Sequence, residues 1–146
     1  MTRSRRLVVV ALAGMLATVL VAAPASARPG NNAGGGNISC ASLGFDGELK
    51  LDGEPSRVGQ VVRNGDVAVE ITALKSKKGG DLVAFKWVQL RGPAIERVIV
   101  KGGPTAHVYG TWLSENDGWY WSPVKSGDTK HYGVSNVKWC YGGAQS

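Results

Sequence analysis

Histidine and cysteine each occur only twice in this 146-residue chain, and that scarcity removes several kinds of chemistry at the outset. Catalytic zinc generally takes three protein side chains. His107 and His131 supply two, no third imidazole or C-x-x-C accompanies them, and no metal ion is expected. The chain has no Gly-x-Ser-x-Gly, and its two thiols are expected to be consumed by one another, which leaves no evident nucleophile. Carboxylate pairs for glycoside cleavage can be drawn from Asp46, Glu48, Asp117 and Asp128, as they can from almost any protein. The acidic turns at 46–48 and 52–54 lack the spacing of a calcium loop. The expectation is a protein that is not an enzyme and carries no cofactor.

Helical periodicity is missing too. Beyond residue 27 no window of about 11 residues repeats apolar positions at helical spacing. A dense basic footprint is also absent. Lys plus Arg number 17 against 11 acids, a formal charge of +6, but Arg3, Arg5 and Arg6 account for half of it and belong to a leader. What remains is too mild to argue for nucleic acid.

That leader is the first feature the sequence does possess. A basic start, an apolar run over 7–23 and the small residues Ala25-Ser26-Ala27 are the three parts of a secretory signal peptide, expected to be removed after Ala27. Arg5-Arg6 leaves both the general and the twin-arginine export routes open. Residues 28–38, mostly glycine and asparagine, read as a flexible segment, and 39–146 as a single domain of ordinary size. No second long apolar segment follows. A secreted or peripherally surface-held product is therefore expected, without an integral membrane segment.

An even cysteine count in an exported protein implies a disulfide, and Cys40 and Cys140 permit one pairing. A reactive thiol pair or metal ligands are the competing readings. The bridge would enclose nearly the whole domain.

Between the cysteines the chain reads as short strands punctuated by turns. Residues 48–52 alternate polar and apolar, and 58–62 is a weaker strand. Asn64-Gly65 is a tight-hairpin signal, because both residues tolerate positive φ. Val67, Val69, Ile71 and Ala73 share one face of the next strand. Lys75, Lys77 and Lys78 belong to a basic turn, which reads either as a solvated hairpin or as a contact for an anionic wall polymer or lipid surface. Residues 82–90 return with Phe85 and Trp87 opposite Lys86. Val98-Ile99-Val100 is apolar at three successive positions, as for a strand covered on both faces. Ala106, Val108 and Gly110 alternate with His107 and Tyr109, and the last strand places Val137, Trp139 and Tyr141 opposite Cys140. This pattern predicts an all-β domain, a small antiparallel β-sandwich, with a small barrel as the alternative.

The closing stretch resembles a poorly characterised domain of exported and cell-surface bacterial proteins. The resemblance is carried by Val98-Ile99-Val100-Lys101-Gly102-Gly103, Tyr109, Pro123, Tyr132-Gly133 and Ser135-Asn136-Val137-Lys138-Trp139-Cys140-Tyr141. Asn136 stands where that pattern has histidine and Trp139 where it has phenylalanine. The resemblance implies an extracellular module rather than an enzyme, and supplies no substrate.

The candidate ligand-binding residues are Trp112, Trp119, Tyr120 and Trp121, which flank a polar turn. An extended Trp119-Tyr120-Trp121 puts two indoles on one face and the phenol on the other. These aromatics read either as core packing or as an exposed platform for sugar rings. The expected function is a secreted binding module for glycan or cell-wall polymer. A protein-binding or structural surface component is the alternative, and a minor hydrolase the second alternative.

Overall fold

The computed structural model describes residues 35–110 and 118–143. The expected signal peptide, most of the segment 28–38 and Trp112 lie outside the described residues. The described residues form eight strands: β1 (Phe45–Asp52), β2 (Val61–Asn64), β3 (Val67–Ser76), β4 (Leu82–Arg91), β5 (Ile95–Gly102), β6 (Thr105–Gly110), β7 (Tyr120–Trp121) and β8 (Val134–Gly143). One 3₁₀ turn, Ala41–Leu43, precedes β1.

The strands make two four-stranded antiparallel sheets, ordered β1-β8-β5-β6 and β2-β3-β4-β7. This is the sandwich that the turn-punctuated alternation predicts, not the barrel. The β2–β3 hairpin forms at the Asn64-Gly65 signal but one residue along: Asn64 ends β2 and pairs with Val67, so the central residues are Gly65 and Asp66, with Gly65 at φ +55°, a region a β-carbon disfavours. One strand is displaced from its expected place. The expected 58–62 strand begins only at Val61, and Val58 is left 59% exposed. The cause is a turn in which Gln60 N–H donates to the Arg57 carbonyl at 3.3 Å, with Gly59 at φ +80°.

Side chains from the inner faces meet between the sheets. Leu49, Val98, Val100, Val137 and Trp139 come from the first sheet, and Val69, Ile71 and Phe85 from the second. Trp139 is fully buried and stands edge-on to Phe85, with ring centroids 6.2 Å apart, and to Trp87 at 6.1 Å. Edge-to-face contacts of this kind add about 0.5–1.5 kcal/mol beyond the burial itself.

A second, smaller apolar cluster lies on the outer face of the first sheet. Ile99 and Cys140 point away from the main core, as the positions between Val98 and Val100 and between Trp139 and Tyr141 require. They meet Cys40 and Ala106 there, with Ile38, Leu43, Phe45 and Val108 packed around them. The Cys40–Cys140 disulfide spans a sequence separation of 100 at a Cα–Cα distance of 5.2 Å. It clamps the segment ahead of β1 onto the back of β8 rather than crossing between the sheets.

Candidate functional site

The far edge of the second sheet carries the aromatic run. Register explains how its side chains meet. Lys75 on β3 lies opposite Ala84 on β4, and Ala84 lies opposite Trp121 on β7. Alanine in the middle of that row is too small to separate its neighbours. The Lys75 ammonium therefore reaches across to within 4.7 Å of the Trp121 ring centroid. One pleat along β4, Lys86 points to the same face, and its ammonium lies 5.0 Å from the Trp119 ring. Lys75 Nζ is also 5.7 Å from that ring. Each such contact is worth about 0.5–1 kcal/mol at an exposed site.

Tyr120, between the two indoles, turns the other way. It stacks on Phe85 at 5.9 Å and meets Tyr109 edge-on at 5.4 Å, and burial raises its pKa. The expected alternation of Trp119-Tyr120-Trp121 is thus realised. Of the four candidate residues, Trp119 and Trp121 share the outer face, Tyr120 packs against the core, and Trp112 lies outside the described residues. Both outer indoles are half-buried.

β7 has only two residues, so its position depends on bonds beyond the ladder. Ser122 N–H donates to the Val83 carbonyl at 2.8 Å, and the buried Ser122 hydroxyl donates to the Tyr132 carbonyl at 2.5 Å. His131 is held by the same segment. A carbonyl only accepts, so the 2.5 Å contact between His131 Nδ1 and the Ser122 oxygen puts the ring proton on Nδ1. The imidazole lies against Trp121, centroids 4.9 Å apart and planes 32° from parallel. Trp121 is therefore flanked by an ammonium group and an imidazole.

Beside it runs an open groove of about 370 Å³, lined by Trp121, His131, Lys75, Lys77, Lys78 and Lys130 among others. The basic turn thus forms a wall of this groove, joined there by Lys130, His131 and Trp121, which no local sequence pattern brings together. The hairpin around 77–81 is enough to pair positions 75 and 84, but the strand beyond β4 is β7 rather than the next in sequence, so only half of this row had a sequence signal.

His107, on β6, contacts the same segment from the interior side. Its Nδ1 is 3.1 Å from the Tyr109 hydroxyl, which donates to the Trp121 carbonyl at 2.8 Å. Burial lowers the His107 pKa and pushes the Tyr109 phenol up to about 12. Among the described residues, no three or more His, Cys, Asp or Glu side chains are grouped to hold a metal ion. No helix among them is long and apolar enough to cross a membrane.

Comparison with protein-family models, with curated proteins and with solved structures finds no match to this chain.

Proposed function

We propose that this is an exported, non-enzymatic binding module that recognises glycan or cell-wall polymer through Trp119 and Trp121. The observation that carries the reading is the placement of both indoles on one outer sheet face, with Trp121 lining an open groove, while Tyr120 packs against the core. An indole offers a broad apolar surface and one donor, the combination a sugar ring can use. The buried disulfide supports an oxidising compartment, and the leader and the resemblance to exported surface domains point the same way. The test is binding of the protein to a glycan and cell-wall array beside a Trp119→Ala/Trp121→Ala variant. Retention of at least one ligand by the parent and its loss in the variant is expected. Equal binding by the two would remove the indoles from the site.

A second reading rests on a different observation. Val61, Val88 and Leu90 are 40%, 45% and 49% exposed on β2 and β4, with Glu70 between Val61 and Val88 in the register. An exposed apolar patch of this kind suits a protein partner. A partner captured by the parent and lost on Val88→Lys/Leu90→Lys, with glycan binding unchanged, would favour it.

A further inference from the structure

The two outer faces of the sandwich carry similar numbers of lysines and treat them differently. On the first sheet, Lys50, Lys101 and Lys138 line a polar groove of about 330 Å³. Lys50 pairs with Asp52 at 2.6 Å and Lys138 with Glu48 at 3.5 Å, while Lys101 donates to the Asn37 side-chain oxygen at 3.1 Å. Every lysine of that groove has a partner within the chain. Around Trp121, among the described residues, only Lys77 is ion-paired, with Asp81 at 2.7 Å. Lys75, Lys78 and Lys130 line the groove with no ion pair among the described residues. No carboxylate among the described residues lines it either. Like charges gathered at one small concavity repel, and the field they create favours an anion there.

The indoles add a selective element. Ammonium groups rest over Trp119 and Trp121, so a neutral sugar stacking on those rings must first displace them. A ligand carrying its own negative charge can pair with the ammonium groups as it approaches, and frees the ring faces for its apolar side. We propose, building on the glycan reading above, that the ligand is an anionic glycan or wall polymer. Carboxylate, sulfate or phosphate groups on it pair with Lys75, Lys78 and Lys130 while a sugar unit lies against Trp121. The groove is at the small end of the ~300–1,000 Å³ range of ligand sites, so it takes a short portion of such a chain. Three cations in one pocket, without ion pairs among the described residues, also fall short of the long basic track a nucleic acid duplex requires.

The experiment is calorimetric titration of the full chain with polygalacturonate, heparin, poly(glycerol phosphate), neutral dextran and a DNA duplex, at low and high salt. At least one anionic glycopolymer should bind about 10-fold or more tighter than dextran, with weakening at high salt and a change in tryptophan fluorescence. The carboxylate, sulfate and phosphate arms identify the charged group. Lys75→Gln/Lys78→Gln/Lys130→Gln should lose about 10-fold or more, since three exposed charge contacts are removed together. Lys50→Gln/Lys101→Gln on the opposite face should leave binding within about twofold, and circular dichroism checks that both variants fold. Equal, tryptophan-dependent binding of dextran and the charged polymers would overturn this inference and leave the glycan reading intact. Failure of every glycan to bind would overturn both, and tighter binding of the duplex would replace glycan with nucleic acid.

Discussion

Tyr109 and Trp121 sit on different sheets and are joined by one hydrogen bond, the phenol donating to the Trp121 backbone carbonyl at 2.8 Å. His107 joins the same group: its Nδ1 lies 3.1 Å from the phenol oxygen, and the imidazole is also hydrogen-bonded to the Trp121 backbone. A hydrogen-bonded cluster therefore joins His107 and Tyr109 on β6 to the backbone of β7. It fixes a strand only two residues long at the position from which both indoles project.

Tyr109→Phe tests that cluster with the ring retained. The substitution removes the phenol's bond to the Trp121 carbonyl, while His107 keeps its own hydrogen bond to the Trp121 backbone, so the loss is that of one hydrogen bond, about 0.5–1.5 kcal/mol. Urea unfolding should show a lower midpoint with an unchanged slope, and the tryptophan emission should shift toward the red. Unchanged stability and emission would mean that β7 is held by the Ser122 and His107 bonds without the phenol.

The same cluster predicts the acid response. Burial lowers the folded-state pKa of His107 below its ordinary value of 6.5, so the unfolded chain takes up a proton more readily than the folded one. Stability from this group is complete above about pH 6.5 and declines as pH falls from there through the lowered folded value. The slope cannot exceed about 1.4 kcal/mol per pH unit for one proton. Thermal midpoints measured between about pH 7.5 and 5 should fall in the parent and stay flatter in His107→Gln. Parallel curves for the two proteins would assign the effect elsewhere.

Much of this architecture was readable from alternation. The parity of Val137, Trp139 and Tyr141 against Cys140, and of Trp119 and Trp121 against Tyr120, fixes which way each side chain points once the segment is extended. The pairing of Val98 and Val100 with the core and of Ile99 with the outer cluster follows from the same rule. Alternation was silent on which face of β6 is interior. Tyr109 faces the main core there, whereas Ala106 and Val108 serve the disulfide cluster, a second apolar site that no period reveals. It was silent also on the basic–aromatic face, because Lys75, Lys86, Trp121 and His131 come from separate segments. Their meeting depends on β7 joining β4 and on the smallness of Ala84, a matter of sheet order rather than local pattern.

The disulfide should matter more for stability than its place on an outer face suggests. In the chain-entropy treatment, a closed loop of about 100 residues contributes up to ~4.7 kcal/mol by restricting the unfolded chain. Both sulfur-bearing residues are buried, at 1% and 0% exposure, so reductant should reach the bond only on opening. Cys40→Ala/Cys140→Ala is expected to lose about 2–5 kcal/mol, read from denaturant midpoints, and the folded parent should resist thiol reagents that react fully in urea. Rapid reduction without denaturant would show that the segment ahead of β1 detaches while the sandwich stays folded.

Gly47 offers the sharpest steric test. It lies opposite Tyr141 in the β1–β8 register, and a β-carbon built on it would fall within the Tyr141 ring. The ring occupies the space a side chain would fill, covering the glycine as aromatic neighbours do in paired strands. Gly47 has no positive φ, so Gly47→Ala introduces a clash without a backbone conflict. Because Tyr141 packs against the main core, the ring cannot swing aside without losing contacts, and a loss of about 1–3 kcal/mol is expected. In a Tyr141→Ala background the same alanine should cost almost nothing, since the obstructing ring is gone. A double-mutant cycle measured by urea unfolding reads that difference as a coupling energy. A coupling near zero would mean the β1–β8 register differs from the one that places Gly47 beneath Tyr141.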